Sequence, residues 1–382
     1  MGFLRELITS HDCNTFSTLT KATFCFARYL SRSDSVIDEF VESRCSQIIS
    51  EVNKPDYSLK SVHTLSGSLT FLANLYKIGD RRKLRPTNAR VFEAIDAVIS
   101  VFDEFDEKMR DSYIQKLVTK LAGRVALVEL KPRLASWKYN RGSRILGQNR
   151  VEAEPEVHQE AVDEDINMTQ TVEDVIGVLL NSLSDSATVV RWNAAKQLGR
   201  VAERLDAENG QYIAEQIIEL LDENNSEDTW HGACSALAEF SRRNLIVTDL
   251  IPAAIEKVIH GLKYDQRRGD GSVGSNVRDA ACYISWTFAR GFHPNHIKPF
   301  VTKIINALLL TSCFDREVSC RRAAQAALQE NIGRLPLDFV PHALDINQEV
   351  NFSSIALLEN ASKVRHVCLC YDNSLLDRIP FR

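Results

Sequence analysis

Four segments of the chain repeat one pattern, and that repetition constrains the fold more than any other feature. The segments are Val190-Arg191-Trp192-Asn193-Ala194-Ala195-Lys196-Gln197-Leu198, Trp230-His231-Gly232-Ala233-Cys234-Ser235-Ala236-Leu237, Val277-Arg278-Asp279-Ala280-Ala281-Cys282-Tyr283-Ile284 and Cys320-Arg321-Arg322-Ala323-Ala324-Gln325-Ala326-Ala327-Leu328. Arg191, Trp230, Arg278 and Arg321 are separated by 39, 48 and 43 residues. An amphipathic helical stretch precedes each segment, at 175–183, 212–221, 253–262 and 297–310. In 212–221 the apolar residues Ile213, Ile217, Leu220 and Leu221 fall on one helical face. Alternating strand patterns do not recur.

The residue types fit stacked helix pairs. Ala194 and Ala195, Ala280 and Ala281, and Ala323 and Ala324 let neighbouring helices approach closely, while flanking Leu, Ile and Val fill the layers between them. One helix pair cannot bury its apolar face alone, but a stack buries a continuous core. Two helices per period of about 40 residues is the signature of HEAT and armadillo repeats. The sequence therefore predicts an all-α fold, a HEAT/armadillo-type α-α superhelical solenoid. Asp185, Asp228 and Asp315 precede the second helices and suit the turn and the positive end of the helix dipole. The arginine that opens each second helix is expected to pair with acidic groups of an adjacent repeat.

Composition divides the chain. Residues 1–150 read as an amino-terminal helical region of irregular HEAT-like repeats, with helices over 16–30, 36–52, 62–78, 91–105 and 111–128. Residues 151–168 hold seven carboxylates and no Lys or Arg, which predicts a disordered or solvated acidic linker. The repeat array occupies 169–345, and 346–382 reads as a divergent, poorly packed tail.

The net charge of −5 supplies no global argument for binding nucleic acid or an anionic membrane. No window approaches the roughly 20 apolar residues of a membrane span, and the first residues lack the apolar run of a signal peptide. The nine cysteines are scattered without a CxxC pair, which excludes zinc-ribbon and thioredoxin-like spacing and suits reduced core thiols of a cytosolic protein.

Chemistry-bearing motifs are weak. Gly269, Gly271 and Gly274 satisfy GxGxxG, but a helix precedes them rather than a strand, and no Gly-Lys-Ser/Thr follows. The stretch Arg267-Arg268-Gly269-Asp270 is expected to lie in a long inter-helix loop, either a passive connector or a partner contact. Residues 108–150 are strongly basic and include Lys116, Lys120, Arg124, Trp137 and Tyr139. They read as a solvated basic face or as a dock for an acidic protein surface, with nucleic acid a poor third. His293 and His296 form a pair without a third ligand. No catalytic, cofactor or metal site is predicted. Candidate protein-contact residues are Arg267, Arg268, Asp270, Arg191, Trp192, Trp230, His231, Arg278, Arg321 and Arg322.

Several blocks carry a family resemblance. They are the run from Val189 to Lys196, Trp230-His231-Gly232, Leu262-Lys263-Tyr264-Asp265-Gln266-Arg267-Arg268-Gly269, the run from Val273 to Tyr283, Phe314-Asp315-Arg316-Glu317, and the run from Arg321 to Arg334. In order and spacing they resemble the tubulin-folding cofactor D (tubulin-specific chaperone D) family, most specifically over 262–334. Weaker similarity includes Phe26-Ala27-Arg28-Tyr29-Leu30-Ser31 and the residues 130–139. The resemblance implies a cytoplasmic, microtubule-associated chaperone that acts after the chaperonin. It implies binding to β-tubulin, cooperation with tubulin-folding cofactors E and C in assembling and dissociating the αβ-heterodimer, and binding to an Arf-like small GTPase. It also implies a role as one component of an assembly that activates GTP hydrolysis by tubulin, without hydrolysis by the chain itself. Members of the family are much longer, so this chain is expected to correspond to their amino-terminal part, a truncated isoform or gene model whose last repeat lacks a stacking partner. The competing expectation is a HEAT adaptor with a non-tubulin partner.

Overall fold

The structure is a computed structural model, and it describes residues 16–32, 37–54, 59–104, 111–132, 168–269, 271–340, 343 and 346. The expected acidic linker, apart from Met168, and almost all of the expected tail lie outside the described residues. The fold is all-α and of the HEAT/armadillo type. Its helices group into two compact units.

The first unit holds α1 (Phe16–Leu30), α2 (Ile37–Val52), α3 (Leu59–Ile78), α4 (Asn88–Glu104), α5 (Ser112–Glu129), α6 (Gln170–Asn181) and α7 (Thr188–Ala202). They form two layers. In one, α1 packs on α3, α3 on α5 and α5 on α7; in the other, α2 packs on α4 and α4 on α6. The division into units does not fall at the compositional break. α6 and α7 were grouped by sequence with the later repeats, but they pack with the amino-terminal helices.

The reason is the α5–α7 contact. Asn193 Nδ2 donates to Thr119 Oγ1 at 2.9 Å and to the Lys116 carbonyl at 2.9 Å. A Cβ on Gly123 would stand 2.5 Å from the Gln197 Cβ, so only glycine lets the two backbones come this close. Asn193 beside Thr119 and Gln197 beside Gly123 also fix the direction, since both numbers rise together along the contact. α5 is set at its start by Asp111, whose Oδ1 accepts from the amides of Tyr113 at 2.8 Å and Ile114 at 3.2 Å. Its end is held by Arg81, which donates to the Val128 and Glu129 carbonyls, and by Arg204, which donates to the Leu127 carbonyl at 2.6 Å. These carbonyls have no partner within the helix, and cations suit the negative end of its dipole.

The second unit holds α8 (Ala207–Glu219), α9 (Glu227–Arg242), α10 (Ile251–Leu262), α11 (Ser275–Gly291), α12 (Val301–Phe314) and α13 (Val318–Arg334). α9, α11 and α13 pack side by side, while α8, α10 and α12 back them. Trp230, Phe240 and Phe288 are among its largest buried side chains. The segment Pro294–Phe314 is long and apolar enough to cross a membrane, but 61% of its apolar stretch is buried inside the structure, as expected of a core helix.

Between α10 and α11 the chain makes a feature absent from the sequence expectation. Gln266–Arg268 (β1) and Gly271–Val273 (β2) pair antiparallel, with Gln266 opposite Val273 and Arg268 opposite Gly271. The expected long loop is a two-stranded hairpin.

Substituting Gly123→Val forces α5 and α7 apart and should cost about 1–3 kcal/mol. Gly177→Ala, on an exposed face of α6 with no atom near the new Cβ, should instead stabilise by about 0.5–1 kcal/mol. Thermal unfolding followed by circular dichroism checks both signs.

Candidate functional site

The four repeat-equivalent positions share one structural task. Arg191 Nη1 donates to the carbonyls of Asp185 at 2.7 Å and Ser186 at 2.8 Å. Arg321 Nη1 donates to the carbonyls of Asp315 at 2.6 Å and Arg316 at 3.1 Å. Trp230 Nε1 donates to the Asp222 carbonyl at 2.7 Å, and Arg278 Nη1 to the Tyr264 carbonyl at 2.8 Å. All four side chains are buried. Selected from the sequence as protein contacts, these four have donors engaged inside the fold. The expected pairing with an adjacent repeat is made by Arg278, whose Nε and Nη2 reach the Asp315 carboxylate at 2.6 and 3.2 Å. Arg191 and Arg321 instead bind the backbone of their own loops.

The aspartates divide similarly. Asp185 Oδ1 accepts from the Ala187 amide and Asp315 Oδ1 from the Glu317 amide, each at 2.8 Å, closing the turn before the second helix. Asp228 lies inside the first turn of α9, and the cap there is Ser226, whose Oγ accepts from the Thr229 amide at 3.2 Å.

Four of the sequence-selected residues remain exposed, and His231 is half-buried. Trp192 is 54% exposed, with the Lys196 ammonium 4.8 Å from its ring centroid. Arg322 is exposed on α13. Arg267 and Arg268 are exposed on β1, where successive side chains point to opposite faces of the ribbon. Asp270 lies outside the described residues. The hairpin stands on a polar base: Arg316 Nη2 donates to Asp265 Oδ1 at 2.9 Å and to the Ser272 carbonyl at 3.0 Å, and Arg316 Nη1 also binds Ser272 Oγ. Gly269 has φ 60° and Gly274 φ 136°, and a Cβ at Gly274 would lie 2.7 Å from the Tyr264 carbonyl. The glycines therefore serve the turn and the base of the hairpin.

Sequence reading passed over Arg316 and over a stack on α11. Tyr283 and Trp286 lie 6.1 Å apart, the Arg290 guanidinium sits 4.4 Å from the Trp286 ring centroid, and Arg290 pairs with Glu330 at 2.9 Å. Their spacing by three and four residues was the available signal. Among the described residues no three His, Cys, Asp or Glu side chains gather as a metal would need. His293 Nδ1 accepts from the Asn295 amide at 3.3 Å, a capping contact. Burial pushes the thiols of Cys45 and Cys234 up to about 12 and that of Cys320 up to about 11, so they stay protonated near neutrality.

A family model described as tubulin-specific chaperone D-like ARM repeats matches residues 113–343. The chain belongs to the tubulin-specific chaperone D family. It is 28% identical over 311 residues to the tubulin-specific chaperone D of Dictyostelium discoideum, covering 77% of this chain and 21% of that protein. It is also 28% identical over 360 residues to the tubulin-folding cofactor D of Schizosaccharomyces pombe, covering 87% of this chain and 31% of that protein. The chain thus spans between about a fifth and a third of the length of these chaperone D relatives. Solved structures with similarity include a designed armadillo repeat protein in complex with the peptide (KR)4, at 15% identity and TM-score 0.35 over 75% of this chain and 98% of that one. Another is Kap121p, at 14% identity and TM-score 0.36 over 98% of this chain and 41% of that one.

Trp230→Phe preserves most of the packing but leaves the Asp222 carbonyl without its indole donor. The expected loss is about 1–3 kcal/mol, whereas Arg267→Ala should stay within about 0.5 kcal/mol of the parent. Denaturant titration of the two variants separates a loop clamp from a surface residue.

Proposed function

We propose that the chain is a tubulin-binding chaperone scaffold that receives β-tubulin after its release from the chaperonin. In this reading it works with tubulin-folding cofactors E and C on the assembly and dissociation of the αβ-heterodimer, in the cytoplasm and at microtubules. It contributes to activating tubulin's GTPase as one component of that assembly, with an Arf-like small GTPase as a further partner. The observation that carries the reading is the family match over 113–343, which spans the whole stretch from α5 to the end of α13. The names of the two relatives, tubulin-specific chaperone D and tubulin-folding cofactor D, agree with it.

The hairpin is the contact we assign to it. Arg267 and Arg268 are exposed, and they sit on a base fixed by Arg278 and Arg316. A rigid scaffold that presents charged side chains on a short projection loses little conformational entropy on binding. Arg322 and Trp192 are further exposed candidates.

Retention of αβ-tubulin from cytosol on the immobilised 382-residue chain tests the reading. The parent chain should retain tubulin. Arg267→Glu/Arg268→Glu should weaken retention about tenfold, the ~1.4 kcal/mol expected of two rim charge contacts. Capture of a different protein with no tubulin at all would replace the reading with that of a HEAT adaptor. Undiminished tubulin retention by the double variant would move the contact away from the hairpin.

A further inference from the structure

The first unit separates its charge between its two layers. α2, α4 and α6 carry ten carboxylates. α1, α3, α5 and α7 carry one, Glu129, and it is taken by Arg85 at 2.8 Å and by Asn88 Nδ2 at 2.6 Å. Within that second layer the basic residues are not scattered. Lys116, Lys120 and Arg124 recur every four residues along α5, and Trp192, Lys196 and Arg200 do so along α7. Residues four apart share a helix face.

The α5–α7 register sets these two stripes beside each other. Asn193 meets Lys116 and Thr119, and Gln197 meets Gly123, so the Lys196–Arg200 stretch runs alongside Lys120–Arg124. Packed helix axes lie about 8–10 Å apart, within reach of a single bound chain. Lys77, exposed at the end of α3, adds a third row.

Burial first, and neighbouring cations after it, disfavour the charged forms along the ridge. Burial and the charges of Arg124, Lys116 and Lys77 pull the Lys120 ammonium down to about 8. Burial, with Arg200 adding to it, pulls Arg124 down to about 10. A carboxylate inside the ridge would have pushed both the other way.

We infer that this ridge is a docking surface for a carboxylate-rich peptide segment of a protein partner. Lys116, Lys120 and Lys196 face its carboxylates, and the exposed edge of Trp192 covers their aliphatic stems. The fit is one of charge complementarity. Along a helix, four residues rise about 6 Å, close to the roughly 6.6 Å between alternate side chains of an extended peptide. A nucleic acid fits less well, because stacking needs open aromatic faces and a lysine already stands over one face of each ring here. Lys196 lies over the Trp192 ring, and the Lys116 ammonium lies 5.9 Å from the Tyr113 ring centroid. The inference does not depend on tubulin being the partner, and it uses other helices than the hairpin.

Fluorescence anisotropy of a fluorescein-labelled peptide of alternating Glu and Gly, titrated with the 382-residue chain at low salt, tests it. A Gln-Gly peptide serves as the uncharged control. The Glu peptide should bind and the Gln peptide should not. Lys116→Glu/Lys196→Glu should weaken binding at least about tenfold, and Lys116→Gln/Lys196→Gln should weaken it less, with unchanged helical circular dichroism in both. Arg267→Glu/Arg268→Glu should leave it unaltered, which separates failure of this inference from failure of the tubulin reading. Equal binding by the ridge variants, or by the Gln peptide, would overturn it. So would an oligouridylate that binds more tightly than the Glu peptide with the same sensitivity to the ridge variants. A gain in affinity on changing Glu152, Glu154, Glu156 and Glu160 to Gln would overturn the assignment to a partner, since the chain's own acidic run would then be the occupant.

Discussion

The array depends on how it satisfies the loops between paired helices. The loop after each first helix carries carbonyls that no helix amide satisfies. Leaving such a group buried and unbonded costs about 1–3 kcal/mol. The solution at Arg191 and Arg321 is the same in detail: one guanidinium near the start of the second helix reaches back to two carbonyls five and six residues earlier. Arginine suits the task because it carries five N–H donors on a rigid plane. Trp230 carries one donor, and its loop is completed by Asn225 Nδ2, which donates to the Leu220 carbonyl at 3.0 Å. The indole gives packing in exchange, lying 5.3 Å from the His260 ring and 5.2 Å from the Tyr264 ring. The small residues that follow are what allow so large a group to be buried there.

Asp315 shows how one loop is tied to the next. Its carboxylate accepts from Arg278 of the preceding repeat, one of its oxygens also caps the Glu317 amide, and its carbonyl accepts from Arg321. The Arg278–Asp315 pair is buried, so removing either partner would strand a charge in a poorly solvated place. The hairpin grows from this arrangement. The longest of the three repeat intervals, from Trp230 to Arg278, is the one that contains it, and the added residues leave the core as two short strands. Arg278 and Arg316 fix their base.

What the sequence made legible follows from how far each signal reaches. Helical periodicity and the small-residue register are local and recur, so the helix pairs and the all-α repeat class could be read from them. The hairpin could not. Gln266-Arg267-Arg268 and Gly271-Ser272-Val273 are too short to show alternation, and the arginine that ties Ser272 stands 44 residues away. The contact residues were half legible for a related reason: an arginine that clamps a loop and one that awaits a partner look alike until burial is known. Trp192 and Trp230 show how fine the distinction is. Trp230 aligns with Arg191 in the repeat and is 1% exposed, whereas Trp192 stands one residue later, about 100° around the helix, and is 54% exposed.

A repeat scaffold of this class concentrates its function in side chains that stacking does not use. Arg191, Arg278 and Arg321 have donors committed to loop carbonyls, and the buried thiols are held protonated. The layer of α1, α3, α5 and α7 is different. Those helices could have interleaved acids with their lysines, as exposed helices commonly do, and each such pair would add only about 0.2–0.5 kcal/mol. They carry almost none, although α2, α4 and α6 in the same unit carry ten. Folding alone gives no reason for that asymmetry, since burial first, and then the charges of Arg124, Lys116 and Lys77, disfavour the Lys120 ammonium in the free unit. The part of that cost that comes from neighbouring cations is what an anionic partner would relieve, the pattern expected of a binding surface.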